Sequence, residues 1–237
     1  MRRHLACCLV GATLLYAVGG GAVGAQPLDG GYKVIKQPPG ECAATSTWLM
    51  LAHYYGADNG ARWPHVCIDG KKQNGCSDGL RRSSELSHWI EAVKGDRLQP
   101  SLRLLDQRLQ AMRDPQSGKP LFETDGDFRA AERNRSGRRE RVKRLSHLRQ
   151  LLDQDRPVVL HMGRPFPYAG HYLTLVGYTE EKGKRRYAYV DTSHPDKGIS
   201  WVDERELIEK RWYRPEKGWI PAAVWNGRYL SFWPRDT

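Results

Sequence analysis

The stretch Gln37-Pro-Pro-Gly-Glu-Cys42-Ala-Ala-Thr-Ser-Thr-Trp48-Leu-Met-Leu-Ala-His-Tyr-Tyr-Gly56 decides the fold. A proline- and glycine-rich turn runs straight into a segment with no Asp, Glu, Lys or Arg from Ala43 to Tyr55. Trp48, Leu49, Met50, Leu51, Ala52, Tyr54 and Tyr55 leave no polar stripe, so the segment predicts a helix buried nearly all round, with Gly56 as its stop. Cys42 stands on the first turn. Unpaired backbone N–H groups and the positive end of the helix dipole gather there and favour a thiolate. Cys42 therefore reads as a nucleophile, against the competing reading of an inert buried thiol.

Upstream, Arg2 and Arg3, the apolar run Leu5 to Val18 and the small residues Val23-Gly-Ala25 have the layout of a secretory signal, residues 1–25, with an uncleaved anchor as the alternative. The expectation is export to the periplasm or the medium. Residues 26–237 then make one domain, basic by about nine charges, with 36 Lys and Arg against 27 Asp and Glu. Cys7 and Cys8 leave with the signal, so Cys42, Cys67 and Cys76 remain. Cys67 and Cys76 flank a Gly-, Lys- and Asn-rich loop. In an exported chain that spacing predicts a disulfide contributing roughly 2 to 3 kcal/mol, the alternative being zinc on His65, Cys67 and Cys76. Either way Cys42 is left over as a free thiol.

Downstream, Tyr32 to Lys36 alternates like a short strand. Leu86, Trp89, Ile90 and Val93 fall on one helical face, and Leu102, Leu105, Leu109 and Met112 fit a second, shorter helix. Between Arg129 and Arg149 stand nine Lys or Arg and two Glu, with Leu145, Leu148, Leu151 and Leu152 at helical spacing, which reads as a solvated basic helix face. The alternative use of that face is an anionic surface. It carries no interleaved aromatics and no nucleic-acid module, so no nucleic acid is expected. Beyond Pro157 the pattern turns strand-like: 158–162, 171–176, 186–190, 199–202, 220–225 and 229–232, with one helix at 204–212. Helices first and an antiparallel sheet after them make an α+β layout.

A thiolate needs a base, and the base needs an orienting group. His171 follows Gly170 at the head of one strand, and Asp191 ends the strand that pairs with it across the 180–184 turn. Gln37, five residues before Cys42, supplies a side-chain amide that, with the Cys42 N–H, serves an oxyanion. His161 reads as a core or rim histidine and His194 as a turn residue.

These residues carry a resemblance. Gln37, Glu41-Cys42-Ala-Ala-Thr-Ser, Leu51-Ala-His-Tyr-Tyr-Gly56, Gly170-His171-Tyr-Leu-Thr-Leu-Val-Gly177-Tyr178 and Tyr189-Val-Asp191 resemble the papain-like cysteine peptidases of the C39-like group, and the related AvrRpt2-type proteases. The likeness covers roughly 33–60 and 145–232. Residues 57–144 read as an unmatched insertion, and Ala43-Ala44 departs from the family's usual neighbours of the cysteine. The resemblance implies a papain-like fold, a protein or peptide substrate, and peptide or isopeptide hydrolysis without metal or organic cofactor. The alternatives are an acyltransferase or transglutaminase-like enzyme with the same residues, and a non-catalytic effector that binds through the basic 129–149 face.

Overall fold

The structure, a computed structural model, describes residues 35–56, 86–94, 100–114, 117–132, 134–163, 170–209 and 224–235. In chain order the elements are α1 (Cys42–Tyr55), α2 (Leu86–Lys94), α3 (Leu102–Ala111), β1 (Phe122–Asp127), α4 (Arg135–Asp153), β2 (Val158–Gly163), β3 (Gly170–Glu181), β4 (Lys184–Val190), β5 (Ile199–Asp203), α5 (Glu204–Glu209) and β6 (Val224–Pro234). The strands form one antiparallel sheet in the order β1-β6-β2-β3-β4-β5. The fold is α+β and papain-like. Expectations on 1–25, the Cys67–Cys76 loop, His65 and Tyr32 to Val34 lie outside the described residues. Ile35 and Lys36 are described and take no strand.

Alternation along the strands gives the sheet two apolar faces, each covered by helices. Val159, Tyr172, Leu230 and Phe232 pack with α1, α2 and α3 in one cluster. Val158, Leu160, Met162, Leu173, Leu175, Trp225 and Tyr229 pack with α4 and α5 in another. As its composition predicts, α1 is buried at every residue from Cys42 to Ala52. It ends at Gly56, whose φ of 82° lies where a glycine is favoured. Trp89 of α2 locks the helix from outside, its indole N–H reaching Ala44 O at 3.0 Å and Thr47 Oγ1 at 2.9 Å.

Three elements depart from expectation. The six residues Phe122-Glu-Thr-Asp-Gly-Asp127 form β1, although only Phe122 among them is buried. Their ladder to β6 and the bonds from His147 (2.6 Å) and Tyr229 (3.0 Å) to Asp125 hold the strand, not an apolar pattern. The runs 220–225 and 229–232 were expected as two strands. From Val224 onward the chain is instead one strand, with a bulge over 226–228. Leu160 faces Tyr229 while Met162 faces Trp225, so β6 carries two extra residues opposite β2.

The third departure is the basic helix. Arg141 and Arg144 of α4 are buried rather than solvated. The Arg141 guanidinium donates to Ile208 O (3.1 Å) and Glu132 O (3.0 Å). Arg144 donates to Arg129 O (2.7 Å) and to Gly227 O in the bulge (2.9 Å), and its other nitrogen meets Asp127 at 2.9 Å and Glu140. Arg144 thus ties α4, the end of β1 and the β6 bulge together. Arg144→Met removes the charge from between two carboxylates and strips the buried Gly227 carbonyl and the half-buried Arg129 carbonyl of their donor, so a loss of roughly 3 kcal/mol is expected in urea denaturation.

Candidate active site

Cys42 is the first residue of α1, delivered by a tight turn in which Glu41 N–H donates to Pro38 O at 3.1 Å and Gly40 takes φ 83°. No side chain caps the helix and no acidic residue stands in its first turn. The first-turn N–H groups are therefore not taken by a capping side chain, with the acidic Glu41 buried at the N-cap beside them. Cys42 is a free, buried thiol.

His171 enters from the sheet. It pairs with Met162 of β2, and the β3–β4 register, Thr174 against Val190, places Asp191 just past the end of the neighbouring strand. The His171 Nε2–H donates to Asp191 Oδ1 at 2.8 Å, which leaves Nδ1 for Cys42, to which the ring is also hydrogen-bonded. Gly170 is needed here for a steric reason. A Cβ at this position would lie 2.2 Å from His161 Nε2, so a larger residue would push the His161 ring from its place on Asn226.

The electrostatics follow from burial and bonding. All three residues are buried. Burial works to lower the His171 pKa, but the hydrogen bonds to Asp191 and Cys42, with the charges of both, outweigh it and push it up to about 9. Burial would raise Asp191. The His171 bond and charge, helped by donors from His194 and Ser193, hold its carboxyl well below the usual carboxylate range instead. At neutral pH the ring is an imidazolium between two groups that favour its charge.

His194, which read as a turn residue, and its neighbour Ser193 bind this constellation. His194 Nδ1–H donates to Asp191 Oδ2 at 2.9 Å, and the Ser193 N–H donates to Oδ1 at 2.9 Å, so both carboxylate oxygens are occupied. Gln37 joins the same turn. Its N–H donates to Thr192 O at 3.0 Å, and the Thr192 hydroxyl donates to Gln37 Oε1 at 2.7 Å. With its carbonyl oxygen taken, the Gln37 amide has two N–H donors left to present. The string Asp191-Thr-Ser-His-Pro195, rich in turn-forming side chains directly after the acid, was the available signal for all three.

His161 lies nearby but is engaged elsewhere. It is bonded to Asn226 at 2.5 Å and packed on Tyr172 with ring centroids 4.9 Å apart. Burial, with Arg228 close by, pushes it down to about 4, so it is neutral where His171 is charged. Among the described residues, no group of three or more His, Cys, Asp or Glu side chains is placed to hold a metal ion.

An apolar helix with a cysteine at its front, packed on an antiparallel sheet that brings up a histidine and an aspartate, defines a papain-like, peptidase-type domain. Residues 112–218, a little under half of the chain, are similar to the Peptidase_C39 like family. The match includes His171 and Asp191, lies downstream of Cys42, and reaches back to residue 112 in a region that read as unmatched up to 144. No curated protein matches the chain.

The charge state of His171 sets a pH expectation. If its imidazolium returns the proton to a leaving amine, hydrolysis falls as pH rises through about 9. Alkylation of Cys42 needs no proton donor and should not fall with it. Parallel pH profiles of peptide turnover and iodoacetamide labelling measure the difference.

Proposed function

We propose that the protein is an exported papain-like cysteine peptidase that cleaves peptide or isopeptide bonds through Cys42, His171 and Asp191, with Gln37 at the oxyanion. The observation that carries this reading is the single buried imidazole hydrogen-bonded to the Asp191 carboxylate on one side and the Cys42 thiol on the other. The export part rests on the composition of residues 1–25.

In this reading the Cys42 sulfur attacks the scissile carbonyl carbon, and the carbonyl electron pair moves onto oxygen. The Gln37 side-chain amide and the Cys42 backbone N–H donate to that oxyanion. As the tetrahedral adduct collapses, the C–N bond breaks and His171 gives its proton to the departing amine. Water then attacks the thioester carbon, His171 takes a proton from it, and the S–C bond breaks to release the acid and restore the thiolate. Asp191 keeps the proton on Nε2 and the ring in place throughout.

The test is incubation of the purified protein with a complex peptide mixture, with and without excess primary amine, followed by mass analysis of the products. Free acids are expected in both reactions. Amide products alone would assign the site to acyl transfer. No cleavage, together with a Cys42 that iodoacetamide fails to label at mildly acidic pH, would overturn the reading.

A further inference from the structure

Against Tyr172, which packs in one cluster with Cys42, lies a cavity of about 290 Å³ whose walls include Arg103, Arg228, His161, Phe128 and Ser101. Among the described residues its lining holds two guanidinium groups and no carboxylate. Arg228 Nε is buried and has no hydrogen-bond partner, a costly state for a charged donor. Arg103 is exposed, and among the described residues no carboxylate pairs with either arginine. The contrast with a larger cavity, of about 660 Å³ between α4, α5 and β5, is direct. There Arg138 and Arg205 are paired with Glu209, and Arg185 with Glu180 and Glu204.

The fold builds this cavity at the site on purpose-made backbone. The β6 bulge, fixed by Arg144 on Gly227 O and by the Ala131 N–H on Asn226 O at 2.8 Å, turns Asn226 onto His161 and sends Arg228 to the same wall. A bulge beside a reactive centre commonly serves to re-aim a side chain in this way. Tyr172 links the two places. It follows His171 in β3 and shares a packed cluster with Cys42. Burial raises its hydroxyl pKa, with the charge on Cys42 adding to the rise and Arg228 opposing it. His161, neutral above about pH 4, offers a hydrogen-bonding wall without a third charge.

We propose that this cavity is a substrate subsite for a carboxylate lying within a few residues of the scissile bond, held by Arg228 from the floor and Arg103 from the rim. The proposal rests on the peptidase reading for the word substrate, but the anion binding itself does not. A guanidinium fork matches a carboxylate in geometry, and burial of the Arg228 Nε strengthens the pairing. The carboxylate comes either from an acidic side chain or from a peptide C-terminus.

The experiment is a titration of the purified protein, followed by the His161 ring resonances, with three probes at constant ionic strength. N-acetylglutamate methylamide carries the side-chain carboxylate, N-acetylglycine a terminal one, and N-acetylglutamine methylamide none. A saturable shift with one carboxylate probe, absent with the neutral probe, is expected, and which probe binds identifies the source. Arg228→Gln, and separately the exposed Arg103→Gln, which leaves packing untouched, should weaken that binding on the order of fivefold or more. No saturable shift with either carboxylate, or equal binding by both variants and the parent protein, would overturn the proposal. Peptide turnover without anion binding would remove this subsite alone, whereas anion binding with an unreactive Cys42 would remove the peptidase reading alone.

Discussion

Cys42→Ala is expected to abolish peptide turnover, lowering kcat by a factor on the order of 10⁴ to 10⁶, because the sulfur is lost and the Ser193 hydroxyl, 3.5 Å from Nε2, stands at the nitrogen that faces Asp191. The substitution is mild for the fold. Cys42 occupies the first residue of a helix whose next two residues are alanines, and alanine is the best helix former. Circular dichroism and thermal melting should be close to the parent protein. A second readout separates loss of chemistry from general damage. The bond and charge of Cys42 are among the causes that lift His171 to about 9. In the alanine variant the imidazole should titrate lower, and an NMR titration of the His171 ring measures the change. Residual turnover above about one per cent of the parent rate would contradict the nucleophile assignment.

Asp191→Asn is expected to cost a factor of about 10² to 10⁴ in kcat with little change in KM, by analogy with loss of the orienting carboxylate in other triads. Asp191 accepts from three donors: His171 Nε2, His194 Nδ1 and the Ser193 N–H. An asparagine has one acceptor oxygen and one NH₂ donor, so it cannot satisfy both imidazoles as donors. If its NH₂ faces His171, Nε2 must become an acceptor and the ring proton moves to Nδ1, the atom that has to accept from Cys42. If it faces His194, the carboxylate charge is still missing and the imidazolium is less favoured. The alkaline limit of turnover should then move below about 9. Unchanged kcat with an unchanged pH profile would show that Asp191 holds only the turn.

The nucleophile helix was legible because its signal is local. An uncharged run, a preceding Pro-Pro-Gly turn and a closing glycine gave Cys42 to Tyr55 almost to the residue. The β3–β4 hairpin was legible for the same reason, and with it the neighbourhood of His171 and Asp191. What stayed hidden depends on partners far away in the chain. β1 has no apolar alternation, and it is a strand because β6 pairs with it. Asn226-Gly227 has the look of a hairpin turn between two strands, the usual meaning of that dipeptide. Arg144 and Ala131 instead take its carbonyls and fold it into a bulge. A basic residue in a basic helix gives no sign that it will be buried, so Arg141 and Arg144 were legible only once their carbonyl partners were in place. His194 could not be assigned because its role is defined entirely by the second oxygen of Asp191.

The position of β6 governs when the bed beneath α1 is complete. β6 sits between β1 and β2, and Leu230 and Phe232 supply part of the bed on which α1 lies, with Tyr54 of α1 donating to Phe232 O at 3.0 Å. Until residues 224–234 have emerged, the sheet is two separate pieces and the nucleophile helix has only part of its seat. Contacts this distant in sequence form late, since each closes a long loop before it is rewarded. The seat of α1 is therefore complete only once the last described strand of the chain has joined the sheet.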